Sequence, residues 1–450
     1  MKTLTLDPTR RRNCEGVSRR DALKLGALPF FGLTLPEYLA ALPAHAAPKA
    51  ESVILLWCAG GPSHIDSFDP KPDAESGIRG EFKAIDTNVS GVQLSEHLPN
   101  TAKVMDKVAL IRSLTSEIAA HEQASQYLLT GYRPLPTLEY PSYGSVVARE
   151  MGGRNSLPPY FGIPDAGRAG QSGFIGAAYN AFVVPDPSQP NYRVEDINPP
   201  TRVDNDRMNR RRVFTSRMND RFAQPLPDDR VRSVDQFYAK AFDLINSTPA
   251  KKAFEVSEEP DDVRERYGKT TMGQGALLAR RIVEAGGRFV TINKGGWDTH
   301  DNIFQRLAGS GGAGRMGAGG RNGGGPLLTE LDQAYAALLT DLSQRGLLDK
   351  TLVVLMGEFG RTPRVNPRGG RDHWARCRFA CFAGGGVKGG QVIGRSEKDG
   401  GVPAERPVSV EEVSASIYHA LGIDHSKQYV TPTGRPIHLA TGQPIKELFG

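Results

Sequence analysis

The stretch LVVLMGEFGRTPRVNPRGGRDHW, Leu352 to Trp374, decides how the chain is read. Leu352–Met356 is a continuous apolar run, the pattern of a strand covered on both faces. It gives way to a Gly- and Pro-containing segment that carries Glu358, Arg361, Arg364, Arg371, Asp372 and His373. Open α/β sheets gather their ligands beyond the carboxyl ends of their strands. Carboxylates, a histidine and forked guanidiniums at that place therefore read as a site rather than as a solvated loop.

The same unit, an apolar strand followed by a polar cluster, recurs three times. From Ser52 the run VILLW leads into CAGGPSHIDSFDP, with Ser63, His64 and Asp66. Val108–Ile111 leads into RSLTSEIAAHEQ, with Ser116 and His121. Phe289–Ile292 leads into GGWDTHDN, with Asp298 and His300. In a parallel sheet these ends share one edge, so residues about three hundred positions apart converge. Helical periodicity marks the segments through Ala124, Tyr127 and Leu128 up to Gly131, from Met272 to Val283, from Leu328 to Leu342 and from Val410 to Leu421. Another strand is predicted over Phe379–Phe382. This alternation predicts an α/β fold with a central, mostly parallel sheet and helices on both faces.

Between about residues 132 and 270 the texture changes: Pro is frequent, and Asn191 to Arg221 alternates Arg, Asp and Asn. That region reads as an inserted cap rather than as part of the sheet, with Arg207, Arg210, Arg211 and Arg212 on a solvated face. Residues 309–325 are mostly Gly and read as a surface loop.

Lys and Arg number 56 against 50 Asp and Glu, a formal charge of +6. About half of that surplus lies in the first 46 residues, and what remains is too weak to argue for nucleic acid binding. The first segment reads as an export signal. Ser18-Arg19-Arg20-Asp21-Ala22-Leu23-Lys24 has the twin-arginine pattern, with Ala22 where Phe is usual. A broken apolar stretch, Leu25–Leu42, precedes Ala44-His45-Ala46, a small-x-small cleavage signal. The expectation is a twin-arginine signal over residues 1–46 and a single domain over 47–450, periplasmic or secreted, with no stable membrane span once the signal is removed. Cys58, Cys377 and Cys381 have no zinc-site spacing and imply no disulfide framework; Cys377 and Cys381, flanking an apolar strand-like run, read as packing residues.

The candidate metal ligands are His64, Asp66, Asp298, His300, Glu358, Asp372 and His373, with His121 beside them. Imidazole and carboxylate suit zinc, and carboxylates also suit calcium, magnesium or manganese.

The motifs GGPSHIDSFDPKP, GGWDTHDN, GEFGRTP and GRDHW resemble an exported bacterial group, the domain-of-unknown-function family 1501, within the alkaline phosphatase and sulfatase superfamily. The resemblance runs over nearly the whole mature chain. YLLTG is similar to the end of the sulfatase nucleophile helix, and TLVVLMGEFG is placed like the strand that delivers a metal-binding Asp-His. SVEEVSASIYHALGI looks like the closing helix. The resemblance implies an alkaline-phosphatase-like sandwich acting on esters through a metal. Three positions depart from the superfamily pattern. His121 falls where the nucleophile would be, Gly60-Gly61 fall near the paired aspartates, and Glu358-Phe359 replace the Asp-His. Asp298, His300 and His373 keep ligand character.

The expectation that follows is an exported, metal-dependent hydrolase of phosphate or sulfate esters without the usual Cys or Ser nucleophile. His121 would act as nucleophile or general acid/base and Arg361 would hold the substrate anion. The cation would be divalent, zinc foremost, and the substrate an anionic ester such as a sulfated or phosphorylated glycan. The alternative is a non-catalytic, metal-stabilised binding or structural protein in which His121 is one more ligand.

Overall fold

The structure is a computed structural model. It describes residues 48–194, 247–309 and 326–450, together with 197, 206–207, 210–211, 213–215, 217–218 and 244–245. The export segment expected over 1–46, Arg212 and all of the Gly-rich tract except Gly309 lie outside the described residues.

Eight strands form the central sheet: β1 (Ser52–Cys58), β2 (Val108–Leu114), β3 (Tyr160–Ile163), β4 (Phe182–Val183), β5 (Phe289–Lys294), β6 (Thr351–Met356), β7 (Arg378–Ala383) and β8 (Gln391–Ile393). Across the sheet they run β8-β2-β7-β6-β1-β5-β3-β4. Only β7 is reversed: it pairs antiparallel with β2 and β6, and the other pairs are parallel.

The pleat explains the layers. Along β1, Ile54, Leu56 and Cys58 face one core, while Val53, Leu55 and Trp57 face the other. Helices α1 (His121–Thr130), α2 (Tyr143–Met151) and α5 (Val410–Ala420) cover the second face; α3 (Thr271–Glu284) and α4 (Leu327–Gln344) cover the first. The expected sandwich, helices on both faces of a mostly parallel sheet, is therefore the observed fold. Local chemistry sets the helix ends. Thr270 caps α3, and Ser409 with Glu412 closes a capping box on α5. Gly131 stops α1 at φ 77°, where a Cβ would lie 2.4 Å from Ser414 Oγ.

The region read as a cap needs correction. Its β3 is fully buried and pairs with β5, so the sheet runs through it. Four residues between Pro158-Pro159 and Pro164 are too few to show a period, so YFGI carries no strand signal of its own. The helices Thr248–Ala253 and Asp261–Tyr267 follow. Their neighbour Glu259 is 2.8 Å from buried Arg280 of α3, and the Tyr267 hydroxyl donates to Asp341 of α4 at 2.9 Å. Arg207, Arg210 and Arg211 are exposed.

Cys58, Cys377 and Cys381 are free and buried. Among the described residues, no helix is long and apolar enough to cross a membrane.

Candidate metal centre

Four strands open onto one edge of the sheet. β1, β2, β5 and β6 run the same way, so the segments after Cys58, Leu114, Lys294 and Met356 emerge together. Reversed β7 begins at that same edge, so residues 357–377 leave and re-enter the sheet on the site side. They fold on themselves where Gly360–Arg361 pairs antiparallel with His373–Trp374. After β5, Trp297 is buried in the core and anchors the turn carrying Asp298 and His300. After β2, a short loop delivers His121 as the first residue of α1.

Three imidazoles converge on one carboxylate. The Nε2 atoms of His121, His300 and His373 lie 3.3, 3.0 and 3.1 Å from Asp298 oxygens. Ligand atoms of His121, Asp298 and His373 all fall within 4.8 Å of one another, an arrangement that could hold a divalent metal.

The far side of each ring is tied to an acceptor. His121 Nδ1 lies 3.0 Å from Glu358 Oε1, His300 Nδ1 2.7 Å from Asp372 Oδ1, and His373 Nδ1 2.8 Å from the Ala119 carbonyl. Carbonyl and carboxylate oxygens accept only, so each Nδ1–H donates outward and the Nε2 edge of each ring is turned inward on Asp298. Backing of this kind orients metal-ligating histidines. The rings of His300 and His373 then face each other with Nε2 atoms 2.9 Å apart. Two nitrogens at that separation share a proton or lie beside a cation, because two bare lone pairs would repel. The donor set, imidazoles and a carboxylate, is that of zinc sites.

Electrostatics act differently on the members of the cluster. Burial would raise the Asp298 carboxyl, but hydrogen bonds from Arg361 and His373 outweigh it and hold the group well below the usual carboxylate range. Burial lowers His373 and favours its neutral ring, against the pull of Asp298. The hydrogen bond from His300 lowers Asp372. The bond to Glu358 raises His121, with Asp298 adding to it against burial.

Other expected residues are placed differently. Asp66 is fully buried in a two-pronged pair with Arg371, at 2.7 and 2.9 Å, and also accepts from Ser63 at 2.5 Å; its oxygens are not available to a cation. His64 is buried, with Nε2 2.8 Å from the Gly400 carbonyl. Glu358 and Asp372 stand behind the rings rather than among them. Arg361, expected to hold a substrate anion, is fully buried. Its guanidinium donates to the carbonyls of Gly60, Gly61, Trp297 and Arg371 and, at 2.6 Å, to Asp298. It positions Asp298 and cannot reach a ligand from solvent.

Sequence reasoning missed two parts of this frame. Asn366 donates to the His300 carbonyl at 3.0 Å and to Asp372 at 3.3 Å. Its position inside the motif RTPRVNPRGGRDHW was the available signal. The Ala119 carbonyl has no side-chain signature at all. The close approach at Gly60 belongs here too: its φ is +118°, its N–H donates to Glu358 at 2.7 Å, and a Cβ would lie 2.4 Å from Asp298 N. Gly60→Ala is therefore expected to displace Asp298 and weaken metal affinity about 10–100-fold, the usual cost of losing a positioning partner. Titration against a competing chelator measures this, and wild-type affinity in the variant would show that the turn has slack.

The family model described as "Protein of unknown function (DUF1501)" matches residues 50–449. No curated protein matches the chain by sequence. Among solved structures it is similar to the sulfatase PsFucS1 from Pseudoalteromonas sp., at 13% identity and a TM-score of 0.38, over 83% of this chain and 68% of that one. It is also similar to the phosphonate monoester hydrolase of Agrobacterium radiobacter, at 11% identity and a TM-score of 0.34, over 90% and 77%. A third is the lipoteichoic acid synthase LtaP from Listeria monocytogenes, at 10% identity and a TM-score of 0.32, over 89% and 77%.

Proposed function

The chain belongs to the DUF1501 family, and from the cluster it carries we propose that it is a metal-dependent hydrolase of phosphate or sulfate esters. One observation supports this reading above the others: three histidines, each fixed through Nδ1, aim Nε2 at the single carboxylate of Asp298. His121, Asp298 and His373 would hold the cation, which we take to be zinc from the nitrogen-rich donor set. A bound divalent cation supplies Lewis acidity toward an ester oxygen and toward water.

The chain's own residues do the remainder. Arg361 fixes the Asp298 carboxylate from below, and Glu358 fixes the His121 ring. His300, held by Asp372 as in a histidine–carboxylate dyad, is placed to take or give a proton at Nε2. No thiol or hydroxyl nucleophile is needed in this scheme. In it His121 becomes a ligand instead of the attacking group. We further propose that residues 1–46 direct export by the twin-arginine route to the periplasm or beyond, on the strength of Arg19-Arg20 and Ala44-His45-Ala46. The ester's body would be a glycan, and residues 47–450 would act as one domain.

The test is elemental analysis of purified protein, joined to a panel of phosphate monoester, phosphate diester and sulfate ester substrates. We expect one or more equivalents of transition metal and turnover on at least one ester class, abolished by chelation and restored by zinc. Metal-replete protein that cleaves nothing would favour the metal-stabilised binding protein. Protein with no affinity for metal would remove both readings.

A further inference from the structure

With Arg361 sealed in the interior, the proposed site still needs a cation that can reach the anionic end of an ester. The neighbouring arginines can be sorted by what already holds them. Arg371 is buried on Asp66 and on the carbonyls of Ile78, Thr362 and Pro363. Arg306 donates to the carbonyls of Asp298 and Gly296, at 2.7 and 2.9 Å, and is 3.4 Å from Asp301. Arg364 is paired with Glu75, and Arg376 lies over the Trp374 ring at 5.9 Å.

Arg368 differs from all of these. Its side chain is 66% exposed, and its nearest charged partner, Asp372 Oδ1, is 3.8 Å from Nη2. That oxygen is the one that holds His300 Nδ1. An exposed pair at such a distance is weak and yields readily to a better partner.

The base of this side chain is fixed, although its tip is not. Asn366 Oδ1 accepts from the backbone N–H of Arg368 at 2.9 Å and of Gly370 at 3.1 Å. The Arg368 and Gly369 carbonyls accept from Asn302 and Ile303 at 3.2 and 2.9 Å, and Asp301 bridges to Gly369. The turn bearing Arg368 is thus bonded to the turn bearing Asp298 and His300. A long cationic side chain is rooted beside Asp372, on the outer side of His300, with its guanidinium fork open to solvent.

We propose that Arg368 is the anion anchor of this site, closing its fork on the free oxygens of a tetrahedral phosphate or sulfate group presented to the cluster. This rests on the reading that the cluster holds a cation and receives an anionic ester.

The experiment uses zinc-loaded full-length protein and calorimetric titration with inorganic phosphate and, in a separate arm, inorganic sulfate. Arg368→Gln is expected to weaken the anion bound by wild type roughly tenfold or more, the worth of a charged hydrogen bond. Zinc content should be unchanged, and Arg368→Lys should recover part of the loss. The two arms tell which oxyanion is preferred. Arg364→Gln and Arg376→Gln carry the same change in charge nearby and should bind as wild type does. Equal losses in all three variants would reduce the effect to general electrostatics and overturn the assignment. So would wild-type affinity in Arg368→Gln, or zinc-loaded wild type that takes up neither anion. Loss of zinc from wild type itself would instead strike the parent reading.

Discussion

His121→Ala is expected to lose metal and ester turnover together. His121 supplies one of three clustered ligand positions, and its ring is fixed through Nδ1 by Glu358. Removing a partner that merely orients a ligand commonly costs 10–100-fold in affinity, so loss of a ligand should exceed about a hundredfold. Turnover at limiting zinc should fall at least as far. The informative measurement is turnover across a zinc titration. If His121 is a ligand, added zinc recovers part of the activity. If it is the nucleophile or the acid/base, turnover stays about a hundred- to ten-thousand-fold down at saturating zinc. That second outcome would move His121 out of the ligand set and leave His300 without its proposed part.

Asp66→Ala is expected to destabilise the fold strongly without touching metal affinity. Both Asp66 and Arg371 are fully buried, and the alanine leaves the guanidinium charge without its carboxylate. Breaking a buried pair from one side typically costs about 3–5 kcal/mol. Urea unfolding of the metal-free protein would register it as a lower midpoint with little change in slope. The folded fraction should still bind zinc as wild type does. A selective loss of zinc affinity with unchanged stability would return Asp66 to the ligands expected from sequence.

The contrast between Asp66 and Asp298 shows where the sequence could be read and where it could not. Both follow apolar strands and both lie in polar motifs. The side of the turn each faces depends on Arg371 and Arg361, which come from a distant segment. The strands themselves were legible because VILLW and LVVLM are buried on both faces and need no period to be recognised. Helices with strong apolar stripes, such as α3 and α4, were legible for the complementary reason. Tyr160–Ile163 was hidden by its length and its prolines. Among the site residues, Asp298, His300 and His373 could be nominated because ligand chemistry resides in their side chains. Arg361 was misjudged because guanidiniums serve buried carbonyls and solvent anions equally well, and only burial separates the two uses. Ala119 contributes through its backbone, which carries no residue-specific mark.

Strand β1 also has a consequence for how the protein is made. Leu55 lies between Thr291 and Val354, so the first of the described strands to leave the ribosome has neighbours that are synthesised far later. At about 5–20 residues per second, the roughly 240 residues from Leu55 to its earlier neighbour, Thr291, take about 12 to 48 s to translate. Throughout that interval an apolar seven-residue segment has no partner to pair with. Until β5 is made, the nascent segment around Ser52–Cys58 is an apolar strand with both edges unpaired, the kind of surface that aggregates during synthesis.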